Sequence, residues 1–146
     1  MESNRVISYR QAINEALRQE MERDDRVFVY GLDVADHKRT FGAGEGLLEQ
    51  FGPKRYFTTP LSVDAMMGLG GGAAAAGLRP INAHIRVDFL LLAMNQLANM
   101  IAPMHYGSDG KLSLPLVVWA NIGRGWGQGF QHSKTIVPEQ LVKARP

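Results

Sequence analysis

The sequence predicts an α/β fold in which a mostly parallel sheet is covered by helices on both faces. Helical and strand patterns alternate along the 146 residues, and the strand candidates are nearly continuous apolar runs, as in strands that are buried on both sides. The length and the 45% content of hydrophobic residues suffice for one domain with a sizeable core.

The first two predicted elements are a surface helix and a buried strand. Ser8 and Gln11 have the spacing of a capping box, so a helix of about 14 residues should begin there. Apolar side chains then recur every three or four residues up to Met21, with charged residues on the other side. The acidic pair at 24–25 should end this helix, and the run RVFVYG at 26–31 should form a strand.

The next stretch, 32–57, is rich in glycine and should be mostly loop, with one short helix at 45–51. A second long helix should follow at 63–76, capped by Ser62 and stopped by Gly77. It contains four glycines, at positions 68, 70, 71 and 72. Each glycine costs about 1 kcal/mol relative to alanine, so a neighbouring helix should pack unusually close. No charge lies between Asp64 and Arg79, which predicts burial of this helix on nearly all sides.

The remaining elements continue the alternation. We expect a second strand at 80–89, an apolar helix at 90–104 and a third strand at 114–120. A glycine-dense loop at 123–129 then follows a strand end, where open α/β sheets bind ligands. This loop could hold an anion through its backbone N–H groups and Arg124, or it could be a lid or a turn.

Composition excludes several kinds of chemistry. The chain has no cysteine, which rules out disulfides, zinc-thiolate sites, iron–sulfur clusters and cysteine nucleophiles. Its four histidines are His37, His84, His105 and His132. They are scattered along the chain without the spacing of metal ligands, so no metal site is predicted. His132 is the best single acid–base candidate. Asp33, Asp36 and His37 could form a carboxylate–imidazole cluster, but a solvated loop is the simpler interpretation and the one we favour.

Charge and hydropathy narrow the function classes further. The formal net charge of +2 is a small imbalance and gives little support for nucleic-acid binding. No apolar run approaches the roughly 20 residues of a membrane helix, and no secretory signal pattern is visible at the N-terminus. We therefore expect a cytoplasmic protein that binds neither membrane nor nucleic acid.

Seven short motifs have a familiar order and spacing: SYRQAIN (8–14), DRVF (25–28), GPKR (52–55), TPLS (59–62), GLRP (77–80), LPLV (114–117) and QHS (131–133). Together they resemble the N-terminal half of 2-oxoacid dehydrogenase beta subunits of the pyruvate and branched-chain type, which is a transketolase-like pyrimidine-binding domain. The resemblance covers residues 5–135. We interpret 1–146 as a single such domain, with a tail at 136–146 that matches nothing.

The resemblance implies a three-layer α/β fold of the thiamine diphosphate-binding type. In this family, thiamine diphosphate lies between the beta subunit's domain and an alpha subunit, which supplies most of the diphosphate and magnesium site. The family reaction is the oxidative decarboxylation of a 2-oxoacid, an oxidoreductase activity. A homo- or hetero-oligomer assembled through the Gly/Ala-rich helix is expected.

The resemblance also assigns five site residues. Leu61 and Ile85 should form an apolar wall, Phe89 should stack on the aminopyrimidine ring, and His132 should be the active-site histidine. Val63 occupies the position of the family's glutamate, whose carboxylate hydrogen-bonds the ring. Valine offers neither donor nor acceptor, so cofactor activation should be impaired.

Two further departures leave other functions open. The family often has an acidic residue at Leu32 and an arginine at Trp119, so both positions have exchanged charge for apolar surface. The chain could therefore be a non-catalytic assembly module, with Leu32, Val63 and Trp119 forming an apolar contact. A third hypothesis is a small sugar-phosphate or nucleotide binder that uses Arg124 and the glycine loop.

Overall fold

The sheet confirms the predicted parallel α/β architecture. The computed structural model describes residues 5–36, 40–123 and 127–136. Four parallel strands pair in the order β2-β1-β3-β4. The strands are β1 (Val27–Gly31), β2 (Tyr56–Thr58), β3 (Arg79–His84) and β4 (Val117–Ala120). In register, Val29 lies opposite Tyr56 on one side and Ile81 on the other.

Helices cover both faces of this sheet, giving the predicted three layers. The α-helices are α1 (Tyr9–Arg23), α2 (Leu47–Phe51), α3 (Val63–Ala75) and α4 (Ala102–Gly107). A 3₁₀ helix (Val87–Ala93) and a π-helix (Asn95–Ile101) lie between β3 and α4, and a 3₁₀ turn spans Phe130–His132.

Alternate residues of β1 build the two cores. Val27 and Val29 pack in the cluster that includes side chains of α1 and α2. Phe28 and Tyr30 point to the opposite face and pack with Met66 of α3. The Tyr30 hydroxyl donates a hydrogen bond of 2.8 Å to the Met66 carbonyl, which joins α3 to the centre of the sheet.

The first helix is as predicted. The Ser8 hydroxyl accepts from the Gln11 backbone N–H, and the Gln11 side chain accepts from the Ser8 backbone N–H, so the capping box is present. At the other end, the Arg55 guanidinium donates to the carbonyls of Met21 (2.6 Å), Asp24 (2.9 Å) and Val27 (2.9 Å). Arg55 thereby satisfies carbonyls where α1 turns into β1.

The glycines of α3 allow the predicted close packing. A Cβ atom at Gly71 would lie 2.8 Å from Ile101 of the π-helix. A Cβ atom at Gly70 would lie 2.2 Å from the Tyr30 hydroxyl oxygen. Both distances are too short for a real side chain, so these two glycines permit contacts that alanine would prevent.

Two expectations about α3 are wrong. The helix is not buried on nearly all sides, because Ala65, Leu69 and Gly72 form an exposed stripe, with Leu69 49% exposed. Its mixture of glycine, alanine and leucine has no polar face, so composition alone could not reveal the exposed side. Ser62 is the N-cap residue but makes no side-chain capping hydrogen bond.

The structure also corrects several boundaries. Strand β2 begins inside the stretch predicted as loop, 32–57, and ends one residue beyond it. β3 ends at His84, so Phe89 lies in the 3₁₀ helix and not at a strand end. Beyond His84, the Val87 N–H donates to the carbonyl of Asn121, the residue after β4, at 2.9 Å.

The helix predicted at 90–104 is divided among 3₁₀, π and α segments. β4 begins at Val117 rather than Leu114, because Pro115 has no N–H to donate to a neighbouring strand.

Some sequence predictions fall outside the described residues. These are the role of His37, the anion-binding role of Arg124 and the tail from 137 onward. In the described part of the chain, no single helix is long and apolar enough to cross a membrane. Two consecutive helical segments, Val87–Ala93 and Asn95–Gly107, together have the length and apolar composition of a membrane span, but a 47° bend separates them.

Candidate functional site

A cavity of about 550 Å³ lies at the C-terminal ends of β1 and β3, beside the start of α3. This is where open α/β sheets bind ligands, and the volume is typical of small-molecule sites. Its described lining comprises Leu32, Asp33, Leu61, Val63, Met66, Ala83, His84, Ile85, Arg86, Phe89, Leu92 and His132. All five site residues that the resemblance assigned therefore line one cavity.

These five residues reach the cavity from separate segments. Leu61 precedes α3 and Val63 is the first residue of that helix. Ile85 follows β3, and Phe89 lies in the 3₁₀ helix beyond it. His132 lies in the last 3₁₀ turn, and its ring meets the Phe89 ring edge to face, with centroids 5.0 Å apart and planes at 71°. Their roles toward a ligand stay predictions.

The apolar side of the cavity is open at its rim. Leu61 is 74% exposed, Leu92 63% and Phe89 36%. Apolar side chains this exposed at the mouth of one cavity are typical of a surface that another molecule covers.

Val63 leaves the start of α3 without an acid that faces the cavity. The neighbouring carboxylate, Asp64, accepts a hydrogen bond from the Gln96 amide at 3.1 Å and does not line the cavity. The helical turn between adjacent residues thus directs Asp64 to the π-helix, as the sequence predicts. Asp33 is the one carboxylate among the described lining residues, in a left-handed backbone conformation with φ of +53°.

A buried histidine in the lining was not singled out from the sequence. His84 is 5% exposed, and its Nε2 atom has no hydrogen-bond partner within the described residues. Burial lowers the pKa of His84 to about 4, so its ring is neutral at pH 7 and can donate or accept one hydrogen bond at Nε2. The sequence feature that could have identified His84 is its position at the C-terminal end of a strand, on the same face of the sheet as Pro80 and Asn82.

Buried charges hold the segment that carries His132. Asp88 is buried, and its carboxylate accepts from the Lys134 backbone N–H at 3.3 Å and pairs with the Lys134 ammonium at 3.4 Å. The Gly123 N–H also donates to the Lys134 carbonyl at 3.0 Å. The buried Arg86 guanidinium donates to the Gly123 carbonyl, so these contacts fix the last turn against the cavity.

The other sequence candidates are not brought together. His105 lies in α4 with Nδ1 2.7 Å from the Leu112 carbonyl, and it does not line the cavity. Leu32 and Val63 line the cavity, whereas Trp119 packs against the core cluster on the α1 side, so the three do not form one apolar contact. In residues 5–36, 40–123 and 127–136, no group of three acidic or histidine side chains could hold a metal ion.

Comparison with known proteins matches this chain to one family. The family described as "Transketolase, pyrimidine binding domain" matches residues 5–134. A 2-oxoisovalerate dehydrogenase subunit beta from Bacillus subtilis (strain 168) is 44% identical over 131 residues, which cover 90% of this chain and 40% of that protein. A pyruvate dehydrogenase E1 component subunit beta from Rickettsia bellii (strain RML369-C) is 41% identical over 128 residues, covering 88% and 39%. The chain thus spans about two fifths of the length of these relatives.

Proposed function

This chain belongs to the transketolase pyrimidine-binding domain family, and we propose that it is the pyrimidine-binding part of a 2-oxoacid dehydrogenase beta subunit. In this proposal the cavity holds the aminopyrimidine ring of thiamine diphosphate, in a complex with an alpha-type subunit. The observation that carries the proposal is the convergence of Leu61, Val63, Ile85, Phe89 and His132 on one cavity.

The lining suits a flat ring with a few polar edges. Leu61, Ile85 and Phe89 provide apolar surface for the ring faces, and His84 Nε2 is a buried polar atom still in need of a hydrogen-bond partner. The described lining contains no glycine-rich phosphate loop, and its one guanidinium, that of Arg86, already donates to the Gly123 carbonyl, so the partner should hold the diphosphate.

Val63 makes the catalytic contribution of this chain weak. Thiamine diphosphate supplies a carbon nucleophile for 2-oxoacid decarboxylation, and its formation is promoted by a carboxylate at the aminopyrimidine. Val63 cannot donate or accept a proton, and Asp64 is held by Gln96. The chain should therefore bind the ring while giving little acid–base assistance. His132 lies against Phe89 at the cavity and would move protons on the substrate side.

The exposed rim supports a partner that closes the cavity. Leu61, Phe89 and Leu92 present apolar surface around the opening, which would be buried by an alpha-type subunit and would exclude water from the ring. We expect these three side chains to be shielded from solvent only in the complex.

The exposed stripe of α3 favours a second candidate function, a subunit-assembly module. Ala65, Leu69 and Gly72 lie at spacings of four and three residues, so they share one helix face, and their small size permits close helix approach. Leu69→Glu should lower the solution mass of the complex, measured by sedimentation, without unfolding the chain. Full association in the absence of any cofactor binding would favour this second function.

Cofactor binding tests the leading proposal directly. Thiamine diphosphate with magnesium is titrated into the chain mixed with an alpha-type subunit, and heat release is measured. Phe89→Ala should weaken binding by about tenfold or more, because it removes the ring that faces the aminopyrimidine. Phe130→Ala is the matched control, since Phe130 is 80% exposed and does not line the cavity. Equal affinities for the parent complex and both variants would contradict the assignment.

A further inference from the structure

A buried carboxylate, that of Asp88, lies at the start of the 3₁₀ helix that follows β3. Its side chain is only 2% exposed. Its Oδ1 atom accepts from the Lys134 backbone N–H at 3.3 Å and lies 3.4 Å from the Lys134 ammonium. Its Oδ2 atom is buried with no hydrogen-bond partner in the described part of the chain. Lys134 thus supplies both the hydrogen bond and the ion pair of Asp88, and a buried charge that loses such a partner is poorly compensated.

The Asp88–Lys134 pair joins the two segments that carry aromatic rings to the cavity. Asp88 directly precedes Phe89, and Lys134 follows His132 by two residues. The turn that contains His132 is closed on itself, because the His132 N–H donates to the Gly129 carbonyl at 3.3 Å. The pair therefore connects this turn to the helix that holds Phe89.

The ring contact between these segments depends on orientation. Phe89 and His132 meet edge to face, with centroids 5.0 Å apart, and both line the cavity. Each lies in a short 3₁₀ element, whose internal hydrogen bonds have poor geometry. Contacts from outside these elements must therefore hold the rings in place. A displacement of about 1 Å is enough to impair a group that acts on a reacting atom.

Backbone contacts hold the turn near the cavity without the Lys134 ammonium. The Gly123 N–H donates to the Lys134 carbonyl at 3.0 Å, and the Gly123 carbonyl accepts from the Arg86 guanidinium. Both contacts remain in a variant that lacks only the ammonium. Such a variant should fold, with the turn present but less firmly oriented.

We propose that Asp88 and Lys134 are positioning residues that orient the His132 ring against Phe89. Neither is among the described residues that line the cavity, so they act through His132 rather than on a ligand. Proton transfer by His132 on the substrate side is the step that they support. For this step the inference rests on the proposed function, whereas the ring geometry does not.

Proton NMR of the ligand-free chain tests the ring geometry separately. The ring current of Phe89 changes the chemical shifts of the His132 ring protons, and Phe89→Leu measures the size of this change. His132→Gln identifies the resonances. Lys134→Met removes the charge and should abolish at least half of the ring-current shift, whereas Lys134→Arg should retain most of it. All spectra are recorded at about pH 9, where histidine side chains are neutral.

Two further variants make the test specific. Lys54→Met removes the same charge from an exposed residue before β2, at the opposite end of the sheet from the cavity, and should leave the His132 shifts unchanged. Lys134→Met should lower the melting temperature more in the parent chain than in Asp88→Asn. The amide of that variant carries no charge that needs the ammonium, so the two substitutions should not be additive.

Steady-state rates test the functional consequence in the Val63→Glu background, mixed with an alpha-type subunit, thiamine diphosphate and magnesium. Lys134→Met should lower kcat for 2-oxoacid-dependent reduction of an artificial acceptor by about tenfold or more. The dissociation constant of thiamine diphosphate should change less than about threefold, because the Phe89 ring is still present. Lys134→Arg should restore most of the rate.

Unchanged His132 shifts in folded Lys134→Met would overturn the proposal, whatever the rates. A lower melting temperature with unchanged shifts and unchanged kcat would make the pair merely structural. Equal losses in Lys134→Met and Lys134→Arg would show that the charge is not what orients the ring. Absence of cofactor binding in the parent complex would overturn the proposed function instead, and the ring shifts would still decide whether the pair orients His132.

Discussion

The buried His84 should make the stability of the ligand-free chain depend on pH in a defined window. Burial lowers the pKa of His84 to about 4, from 6.5 in an exposed imidazole. Between these two values the unfolded chain binds more protons than the folded one, so the free energy of unfolding rises with pH. The stabilising effect is complete above pH 6.5 and is lost as the pH falls toward 4.

The size of the effect follows from the shift. Each pKa unit between the folded and unfolded chain corresponds to about 1.4 kcal/mol, so His84 contributes about 3 kcal/mol to the free energy of unfolding. Most of this contribution is lost between about pH 6.5 and 4.5. The lowered pKa of Asp24, caused by hydrogen bonds from Arg26, acts in a lower window, because its contribution is lost only below the ordinary carboxyl range. The two groups can therefore be separated by pH.

Urea denaturation from pH 7 to pH 4.5 measures the loss. His84→Leu should remove about 2 kcal/mol or more of the pH dependence, because the titrating group is absent and leucine suits the buried site. His105→Gln, in an exposed histidine of α4, should keep the slope of the parent chain, since His84 is still present. An unchanged slope in folded His84→Leu would refute the reasoning.

Four further substitutions test the packing. Gly70→Ala should destabilise the chain by about 1 to 3 kcal/mol, because the new Cβ would lie 2.2 Å from the Tyr30 hydroxyl oxygen. Gly72→Ala should stabilise an unassociated chain by about 0.5 to 1 kcal/mol, because its Cβ would meet open space. Thermal unfolding of the two variants and the parent measures both effects. Asn82→Leu should raise the free energy of unfolding by about 1 to 3 kcal/mol, because it removes a fully buried amide that has no described hydrogen-bond partner. Urea denaturation measures this as a higher midpoint. Arg55→Lys should cost about 2 kcal/mol in the same assay, because one ammonium cannot replace the guanidinium hydrogen bonds to three carbonyls. A stabilised Gly70→Ala, or unchanged Asn82→Leu and Arg55→Lys, would contradict these assignments.

Elements that depend on local sequence were predictable. Ser8 and Gln11 specify the start of α1 within four residues, and the apolar periodicity up to Met21 specifies its buried side. β2 was not predictable in this way, because Tyr56–Thr58 is too short for a pattern and is a strand only through its pairing with β1.

The exposed face of α3 shows a different limit. A helix of glycine, alanine and leucine has the same composition whether its faces meet the protein's own core or another molecule. Gly70 and Gly71 face the core, but Leu69 and Gly72 face outward, and only the three-dimensional structure distinguishes them.

For the site, the resemblance supplied Leu61, Val63, Ile85, Phe89 and His132, and the structure places all of them around one cavity. Sequence reasoning did not single out the buried polar groups His84 and Arg86. Each occurs beside apolar residues in or next to a strand. Their positions at the cavity depend on where β3 ends, which was predicted five residues too late.

The most direct test of the proposed function measures 2-oxoacid-dependent reduction of an artificial electron acceptor. The chain is mixed with an alpha-type subunit, thiamine diphosphate and magnesium, and the parent is compared with Val63→Glu and with Val63→Gln, which has the same size without the acid. The proposal predicts a rate for Val63→Glu at least about tenfold above those of the parent and Val63→Gln. A parent as active as Val63→Glu, or an inactive Val63→Glu in a complex of the expected mass with bound cofactor, would contradict it.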